Sequence, residues 1–415
     1  MQKPSALLVF STSYTSRQIV ERKLEVYLTS RDTNQIFDRI IFVNPLSELQ
    51  DNLETSYQIH YPRITKMNDN LIFIDGGVTV LNKTNITPKL FFVIAQLKLL
   101  FTVLGVVRQY RICLVRGEDP RFAGAYAWIF ATILRLNLII GVWGNPRRIR
   151  KDTGRPMSPK LFKSSTKEER FERRILAQAN KVLVQNSENK TYTENMGVKP
   201  EKVSISALGV GLYQEHYSSL SDRKFDKSLD FSQLLDSEFT IVFLSRLEEV
   251  KHCHDILEVA SILFEAGMDF KIFFIGDGSL KSDLQLDAVQ RGLGKVCVFL
   301  GNKDQHWISR FLVNVDLALA PLLGRALIEI GLAGIPVVAY NVDWHADLVE
   351  DEVTGFLVPL NDFSQMAEMA RYVLENREMR TKLSKNIRER SLYIANPQEQ
   401  ATNQAILYLS LAKKL

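Results

Sequence analysis

Short apolar runs without alternation recur along the chain, and segments with helical spacing of apolar positions lie between them. In the first half the runs are Ala6–Ser11, Arg39–Asn44, Leu71–Asp75, Arg111–Val115, Asn137–Val142 and Lys181–Gln185. In the second half they are Phe239–Leu244, Phe270–Ile275, Val296–Leu300, Asp316–Ala320, Pro336–Tyr340 and Gly355–Val358. Runs of Ile, Val and Leu that do not alternate predict strands covered on both faces. Strands alternating this regularly with helices predict parallel sheets with right-handed crossovers. Helices are expected over Ser16–Ser30, Lys89–Tyr110, Phe122–Arg135 and Lys167–Ala179, then near Cys253–Ala266, Leu280–Leu293, Trp307–Val315, Ala326–Ala333 and Phe363–Glu375. The polar stretch Tyr217–Ser237 reads as a linker. The tail from Arg377 reads as helical with a break at Asn396-Pro397. Two α/β domains in series follow: 1–215, Rossmann-like, and 238–392.

Polar groups collect at the ends of the apolar runs, and in a parallel sheet those ends line the rim where ligands bind. Ser245-Arg246-Leu247-Glu248-Glu249-Val250-Lys251 leaves the strand Phe239–Leu244 with two cations able to reach one phosphate pair. The alternative is a solvated basic loop. Gly324-Arg325-Ala326-Leu327-Ile328-Glu329 opens a helix after Asp316–Ala320, with first-turn N–H groups free for an anion. Glu329 lies in an otherwise apolar helix, so its carboxylate needs a partner such as ribose hydroxyls. The plainer alternative is a surface pair with Arg325, four positions away. Gly276-Asp277-Gly278 is a turn at another strand end, and no full GxGxxG fingerprint follows, which argues against NAD. Two segments of the first domain could line the facing side of a cleft. These are Arg116-Gly117-Glu118-Asp119-Pro120 and Trp143-Gly144-Asn145.

Composition narrows the class. The chain has 415 residues, 46% hydrophobic and 24% charged, which suits a globular protein of two domains. With 52 basic against 47 acidic residues, the net charge of +5 does not indicate nucleic acid. The three cysteines show neither metal nor disulfide spacing, and the six histidines form no HExxH pattern. No secretory leader is read before the first run, so a cytoplasmic protein is expected. The longest apolar stretch, Phe91–Val107, carries Gln96 and Lys98 and reads as a buried or membrane-surface helix. The basic segment Pro146–Lys163 suits an anionic membrane surface or a lipid diphosphate, against the alternative of a solvated flexible loop.

The order SRLEEVK, FIGDGSL, VCVFLG, LIEIGLAGIPVVAY and TGFLVP resembles the retaining glycosyltransferases of family 4. RGEDPRFAG and NMGVKPEKVSISALGVG resemble the first-domain and interdomain segments of that family. The resemblance implies the GT-B fold: two Rossmann-like domains with parallel sheets facing a central cleft, and a C-terminal helix (393–415) crossing back to the first domain. It implies a nucleotide-diphosphate sugar as donor, a glycan or lipid-linked acceptor, no metal and no further cofactor. Arg246 and Lys251 would then hold the diphosphate and act in catalysis. Glu329 would bind ribose, with Gly324, Arg325 and Gly276 beside the donor and Asn302 and Lys303 near the base. The acceptor side would hold Ser13, Tyr14, Arg116, Asp119, Trp143 and Asn145. The chain departs from the family at Pro321, where a sugar-contacting Glu is usual, at Gly211, where an Asp is usual, and at Ser11-Thr12-Ser13-Tyr14, which replaces a Gly-rich loop. The non-catalytic alternative is a binding or scaffold protein of the same fold; a nucleotide-sugar 2-epimerase is the other.

Overall fold

The computed structural model describes residues 3–21, 24–47, 61–77, 87–144, 146–159, 161–206, 212–225, 231–232 and 234–413. The chain divides into two compact units, 1–206 with 398–415, and 207–397. The stretch expected as a linker, Tyr217–Ser237, therefore belongs to the second unit, with the residues from 212 that lead into it. It forms a 3-10 turn, Gln214–Tyr217, and a helix, Leu220–Phe225. His216 is the reason: it is fully buried in that unit.

The first unit is built on the strands β1 Ser5–Phe10, β2 Arg39–Asn44, β3 Arg63–Asn68, β4 Leu71–Asp75, β5 Arg111–Gly117, β6 Leu138–Val142, β7 Lys181–Val184 and β8 Val203–Ile205. Their order in the sheet is β3-β4-β2-β1-β5-β6-β7-β8. All pairings are parallel except β3 with β4. The six strands expected here are present. The edge strand β3 was not expected, because its residues are mostly polar and give no apolar run. Strand β8 has only three residues. The expected helix Ser16–Ser30 is two short helices, Ser16–Glu21 and Glu25–Thr29.

The apolar helix Thr87–Val107 lays Ala95, Leu99, Val103 and Val106 against this sheet and leaves Val93, Leu97 and Phe101 exposed. Among the described residues no helix is long and apolar enough to cross a membrane. The final helix, Pro397–Leu411, returns to the first unit and buries Tyr408 completely there.

The second unit holds β9 Phe239–Leu244, β10 Phe270–Ile275, β11 Cys297–Gly301, β12 Leu317–Ala320, β13 Val337–Tyr340 and β14 Gly355–Val358. The order is β11-β10-β9-β12-β13-β14, parallel throughout. The central strands β9, β12 and β13 are almost wholly buried, as their unalternating Ile, Val, Leu and Ala require when helices cover both faces.

Candidate functional site

In the second sheet the chain runs outward from β9 to β10 and β11, then returns to the other side of β9 for β12, β13 and β14. The sense of winding reverses between β9 and β12. The two segments leaving these strands must part in opposite directions and open a crevice at the carboxyl ends. Those segments carry Arg246 and Lys251 after β9, and Gly324, Arg325 and Glu329 after β12.

The loop after β9 is pinned where it needs to be rigid. The N–H of Ser245 donates to Ile275 O, and that of Leu247 donates to Asp277 O, both at 3.1 Å. Leu247 is fully buried, while Arg246 beside it is exposed. Among the described residues no hydrogen bond or ion pair engages the Arg246 side chain. Lys251 ends a 3-10 turn, Glu249–Lys251, closed by its N–H to Glu248 O at 2.8 Å. His252 then takes a left-handed conformation, φ 52°, and starts the helix Cys253–Glu265. Burial raises the Cys253 thiol pKa to about 11, so it serves as an apolar plug under the loop.

The two turns after β9 and β10 touch backbone to backbone. A Cβ at residue 276 would collide with the Ser245 carbonyl, and one at residue 278 with that of Leu247. Gly276 also has φ 139°, a region closed to L side chains. Its N–H donates to Gly301 O at 2.9 Å, tying in the segment after β11. There Asn302 and Lys303 are exposed, and the Lys303 ammonium lies 5.2 Å from the Trp307 ring centroid. Asp304 caps the helix Gln305–Phe311 by accepting from Trp307 N at 2.8 Å.

After β12 the backbone is held by a residue the sequence did not single out. His345 is fully buried; its Nδ1 faces Tyr340 O at 2.9 Å, and its Nε2 accepts from Leu323 N at 3.1 Å. That pairing requires the Nδ1–H tautomer. Gly324 is exposed, and the helix begins two residues later as Ala326–Leu332. Glu329 is only 3% exposed. Its carboxylate meets Arg325 Nε at 3.4 Å, and no hydrogen bond to it is made among the described residues. Arg325 is half exposed, so the acid keeps unused acceptor capacity beneath a movable cation. His216 is the second unpredicted neighbour. Its Nε2 faces Gln305 Oε1 at 2.7 Å, its buried Nδ1 meets no partner among the described residues, and the Glu329 charge acts on it. Burial nevertheless lowers the imidazole pKa, with Arg223 adding to the shift. Neither histidine sits in a local motif, because both act through contacts distant in sequence.

The first sheet reverses between β1 and β5, and its rim is described by itself. Thr12 Oγ1 donates to Asp119 Oδ2 at 3.1 Å across that reversal. Asp119 also accepts from Arg121 N at 2.7 Å. Ser13 is exposed and Tyr14 stands edge-on to Tyr27, ring centroids 5.2 Å apart. Trp143 Nε1 donates to Glu118 Oε2 at 2.9 Å.

Arg116 corrects an expectation: it is 2% exposed and is not open to an acceptor. Its Nε lies 2.6 Å from Glu118 Oε1, and its Nη1 donates to Tyr408 Oη at 2.7 Å. Glu118, buried, is also 3.0 Å from Arg31 Nε; despite desolvation the two guanidinium groups lower its pKa. Asn145 lies outside the described residues, as does Gly211. The basic segment is also corrected in part. Pro146–Thr153 is a helix, and Arg150 is buried against Glu168 at 2.8 Å and Glu172 at 2.6 Å. Lys151, Arg155 and Lys163 of the same segment remain exposed.

Residues 225–390 match the family described as Glycosyl transferases group 1, which falls on the second unit. The chain is 28% identical over 182 residues to the amylovoran biosynthesis glycosyltransferase AmsK of Erwinia amylovora, covering 41% of this chain and 42% of that protein. It is 25% identical over 216 residues to the Escherichia coli UDP-Gal:alpha-D-GlcNAc-diphosphoundecaprenol alpha-1,3-galactosyltransferase, covering 50% and 54%. The chain thus spans about half the length of these curated relatives or less. The crystal structure of Anabaena Alr3699/HepE in complex with UDP superposes with a TM-score of 0.70 at 18% identity, over 99% of this chain and 100% of that one. The fold is therefore GT-B: two α/β domains built on largely parallel sheets.

Proposed function

We propose that this protein is a retaining glycosyltransferase of family 4. It moves a sugar from a nucleoside-diphosphate donor to a hydroxyl of a glycan or lipid-linked acceptor. The observation that carries the proposal is the rim between β9 and β12, where exposed Arg246 and neighbouring Lys251 stand at one side and buried, under-used Glu329 at the other. In the reaction the bond between the anomeric carbon and the diphosphate oxygen breaks, a bond to the acceptor oxygen forms on the same face, and the acceptor hydroxyl's proton passes to the departing diphosphate. Positive charge grows on the sugar and negative charge on the leaving diphosphate. Arg246 and Lys251 stabilise that leaving group as fixed charge in place of a divalent ion. Ribose hydroxyls donate to Glu329, and the base rests on the backbone near Gly301, Asn302 and Lys303. UDP is a reasonable donor nucleotide, since the Anabaena protein was crystallised with UDP and with UDP-glucose. The acceptor meets the first-unit rim at Ser13, Tyr14, Asp119 and Trp143. The diphosphoundecaprenol acceptor named for the E. coli relative favours a lipid-linked glycan.

The test is a thermal-shift screen of nucleotide sugars, followed by transfer assays with the donor that binds. A bound donor raises the melting temperature by mass action. Lys251→Ala should lower turnover by about 10²–10³-fold; normal turnover in that variant would remove the assigned role. Pro321 stands where the family has a sugar-contacting Glu and favours one second reading, a non-catalytic nucleotide-sugar-binding protein. Binding with neither hydrolysis nor transfer would select it.

Cytoplasmic location and attachment to an anionic membrane complete the proposal. The lipid-facing charges are the exposed Lys151, Arg155 and Lys163, with Arg147, and not the buried Arg150. Co-sedimentation with anionic vesicles that survives reversal of those four charges would exclude this surface.

A further inference from the structure

The two loops that flank the crevice are tied to each other through Tyr340, the last residue of β13. In the sheet β12 stands between β9 and β13, and its register with β13 ends at Ala320–Ala339. Tyr340 is therefore one residue past β12, at the level where the loop toward Gly324 departs. Its side chain is fully buried, and its hydroxyl donates to Asp255 Oδ2 at 2.6 Å. Asp255 lies in the first turn of the helix Cys253–Glu265, which follows the β9 loop. The Tyr340 carbonyl accepts from Val342 N at 2.8 Å and faces His345 Nδ1 at 2.9 Å. His345 Nε2 in turn accepts from Leu323 N at 3.1 Å, one residue before Gly324. One residue is thus bonded to the wall after β9 by its side chain and, through a histidine, to the wall after β12 by its main chain.

The start of that helix carries the cationic half of the rim. Only His252 separates it from Lys251, and His252 has left-handed backbone, φ 52° and ψ 44°, which a side-chain-bearing residue keeps only where its surroundings hold it. Asp255 does the holding. Its N–H donates to the His252 carbonyl at 3.2 Å, and its Oδ2 lies 3.7 Å from His252 Nδ1. The imidazole stands edge-on to the Tyr340 ring, centroids 5.9 Å apart. Cys253 turns its buried Sγ to the carbonyls of Arg246 at 3.8 Å and Glu248 at 3.5 Å, so the Arg246 loop rests on the same turn. Burial disfavours the Asp255 charge, but contacts with His252 and Tyr340 outweigh it and lower the pKa, so the acceptor is a carboxylate. Burial, and then Asp255, push the Tyr340 pKa up, so the hydroxyl keeps the proton it donates. A hydroxyl bonded to a carboxylate makes a strong tie, and charge that stabilises a leaving group must be fixed in advance. We propose that Tyr340 and Asp255 are positioning residues for the donor diphosphate. They hold Arg246 and Lys251 at a set distance from the helix that opens after Gly324, so that both walls meet one leaving group. The inference rests on the donor reading above and adds to it residues that act through others.

The experiment is calorimetric titration of UDP and of inorganic pyrophosphate into the full chain and into Tyr340→Phe, each with and without Lys251→Ala. Tyr340→Phe keeps the ring and removes only the bond to Asp255. It should weaken both ligands alike, by about fivefold or more with Lys251 present and by no more than about twofold once Lys251 is absent, because residues acting as one unit are not additive. A loss of equal size in the two backgrounds would show a general weakening of the fold and would overturn the proposal. Unchanged affinities in Tyr340→Phe would also overturn it, as would a loss of UDP with pyrophosphate unaffected, which puts the effect at the ribose. Should Tyr340→Phe fail to fold, Asp255→Asn, altered at a partly exposed position, carries the same comparison. Failure of the donor reading looks different. A full chain that binds neither ligand, or Lys251→Ala binding pyrophosphate as tightly as the full chain, removes the donor rim and this proposal with it.

Discussion

On the proposed reading, Glu329 and Lys251 make separate contributions to donor binding that a single affinity would merge. The carboxylate is 3% exposed, and among the described residues its polar partner is Arg325 Nε at 3.4 Å, so ribose hydroxyls would find a desolvated acceptor. A hydrogen bond to a charged group contributes about 1.5–3 kcal/mol, or roughly 10–100-fold in Kd. Glu329→Gln should therefore weaken UDP by roughly that factor. It should leave inorganic pyrophosphate, which has no ribose, unchanged. Lys251→Ala should weaken both. Calorimetric titration of the two ligands against the two variants checks the pattern, and equal loss of both ligands in Glu329→Gln would dismiss the ribose role.

His216 adds a pH term at the same place. Burial holds its pKa below the ordinary 6.5, so the folded state keeps it neutral where the unfolded chain takes up a proton. The unfolded state then binds more protons, and stability falls as pH drops below about 6.5. Urea melts between about pH 7.5 and about pH 5.5 should show this acid loss, and His216→Gln should reduce it. An unchanged pH slope in the variant would mean that the imidazole does not titrate as its surroundings require.

At the scale of elements, the strands of the second unit were legible almost to the residue. Phe239–Leu244, Phe270–Ile275 and Gly355–Val358 have the limits their apolar runs imply. Burial on both faces leaves no freedom to place polar residues inside such strands, so the pattern is unambiguous. Strand β3 escaped for the opposite reason, since an antiparallel edge tolerates the exposed and partly exposed polar residues of RITKMN. The candidate donor segments were legible because strand ends are marked by Gly and charge. The props behind them were not, since His345 reaches Leu323 and His216 reaches Gln305 across long stretches of sequence. Arg116 misled for a partly related reason: a strand-end cation looks like a ligand group until the carboxylate two residues on and a tyrosine of the last helix close over it.

The Gly-Asp-Gly turn shows what the marked positions do physically. It gave weak evidence alone, yet its first glycine is where the β9 and β10 loops meet. Gly276→Ala forces a Cβ into the Ser245 carbonyl at φ 139°. Overpacking of this kind costs about 1–3 kcal/mol, and the backbone strain adds about 1–3 kcal/mol more. Chemical denaturation should show that loss, together with weaker UDP binding as the Arg246 loop is displaced. A variant as stable as the parent would show that the two loops are not in fixed contact.

For the molecule as a whole, the last helix decides whether the first unit is complete. Pro397–Leu411 contributes Tyr408, fully buried, whose hydroxyl accepts from Arg116 and donates to the Arg31 carbonyl at 2.7 Å. Asn137 Nδ2 donates to the Leu411 carbonyl at 2.6 Å, and Gln404 accepts from Thr33 N at 3.1 Å. Deleting 398–415 empties an aromatic-sized volume, worth about 3–5 kcal/mol. It also strips Arg116 of one partner beside the single carboxylate that Arg116 shares with Arg31, at about 1–3 kcal/mol. Against a typical domain stability of about 5–15 kcal/mol, that loss is large enough to unfold the first unit near body temperature. The second unit keeps its own core of β9–β14 and its helices through Ile394. Scanning calorimetry of the truncated chain should therefore show the first transition moved sharply down or lost. A second transition should persist and still rise with UDP. Tyr408→Phe, which keeps the ring and removes the hydroxyl, should move the first transition by a smaller amount and leave the second in place. A truncated chain that melts in one step at the parental temperature would show that the helix is not part of the first unit's core.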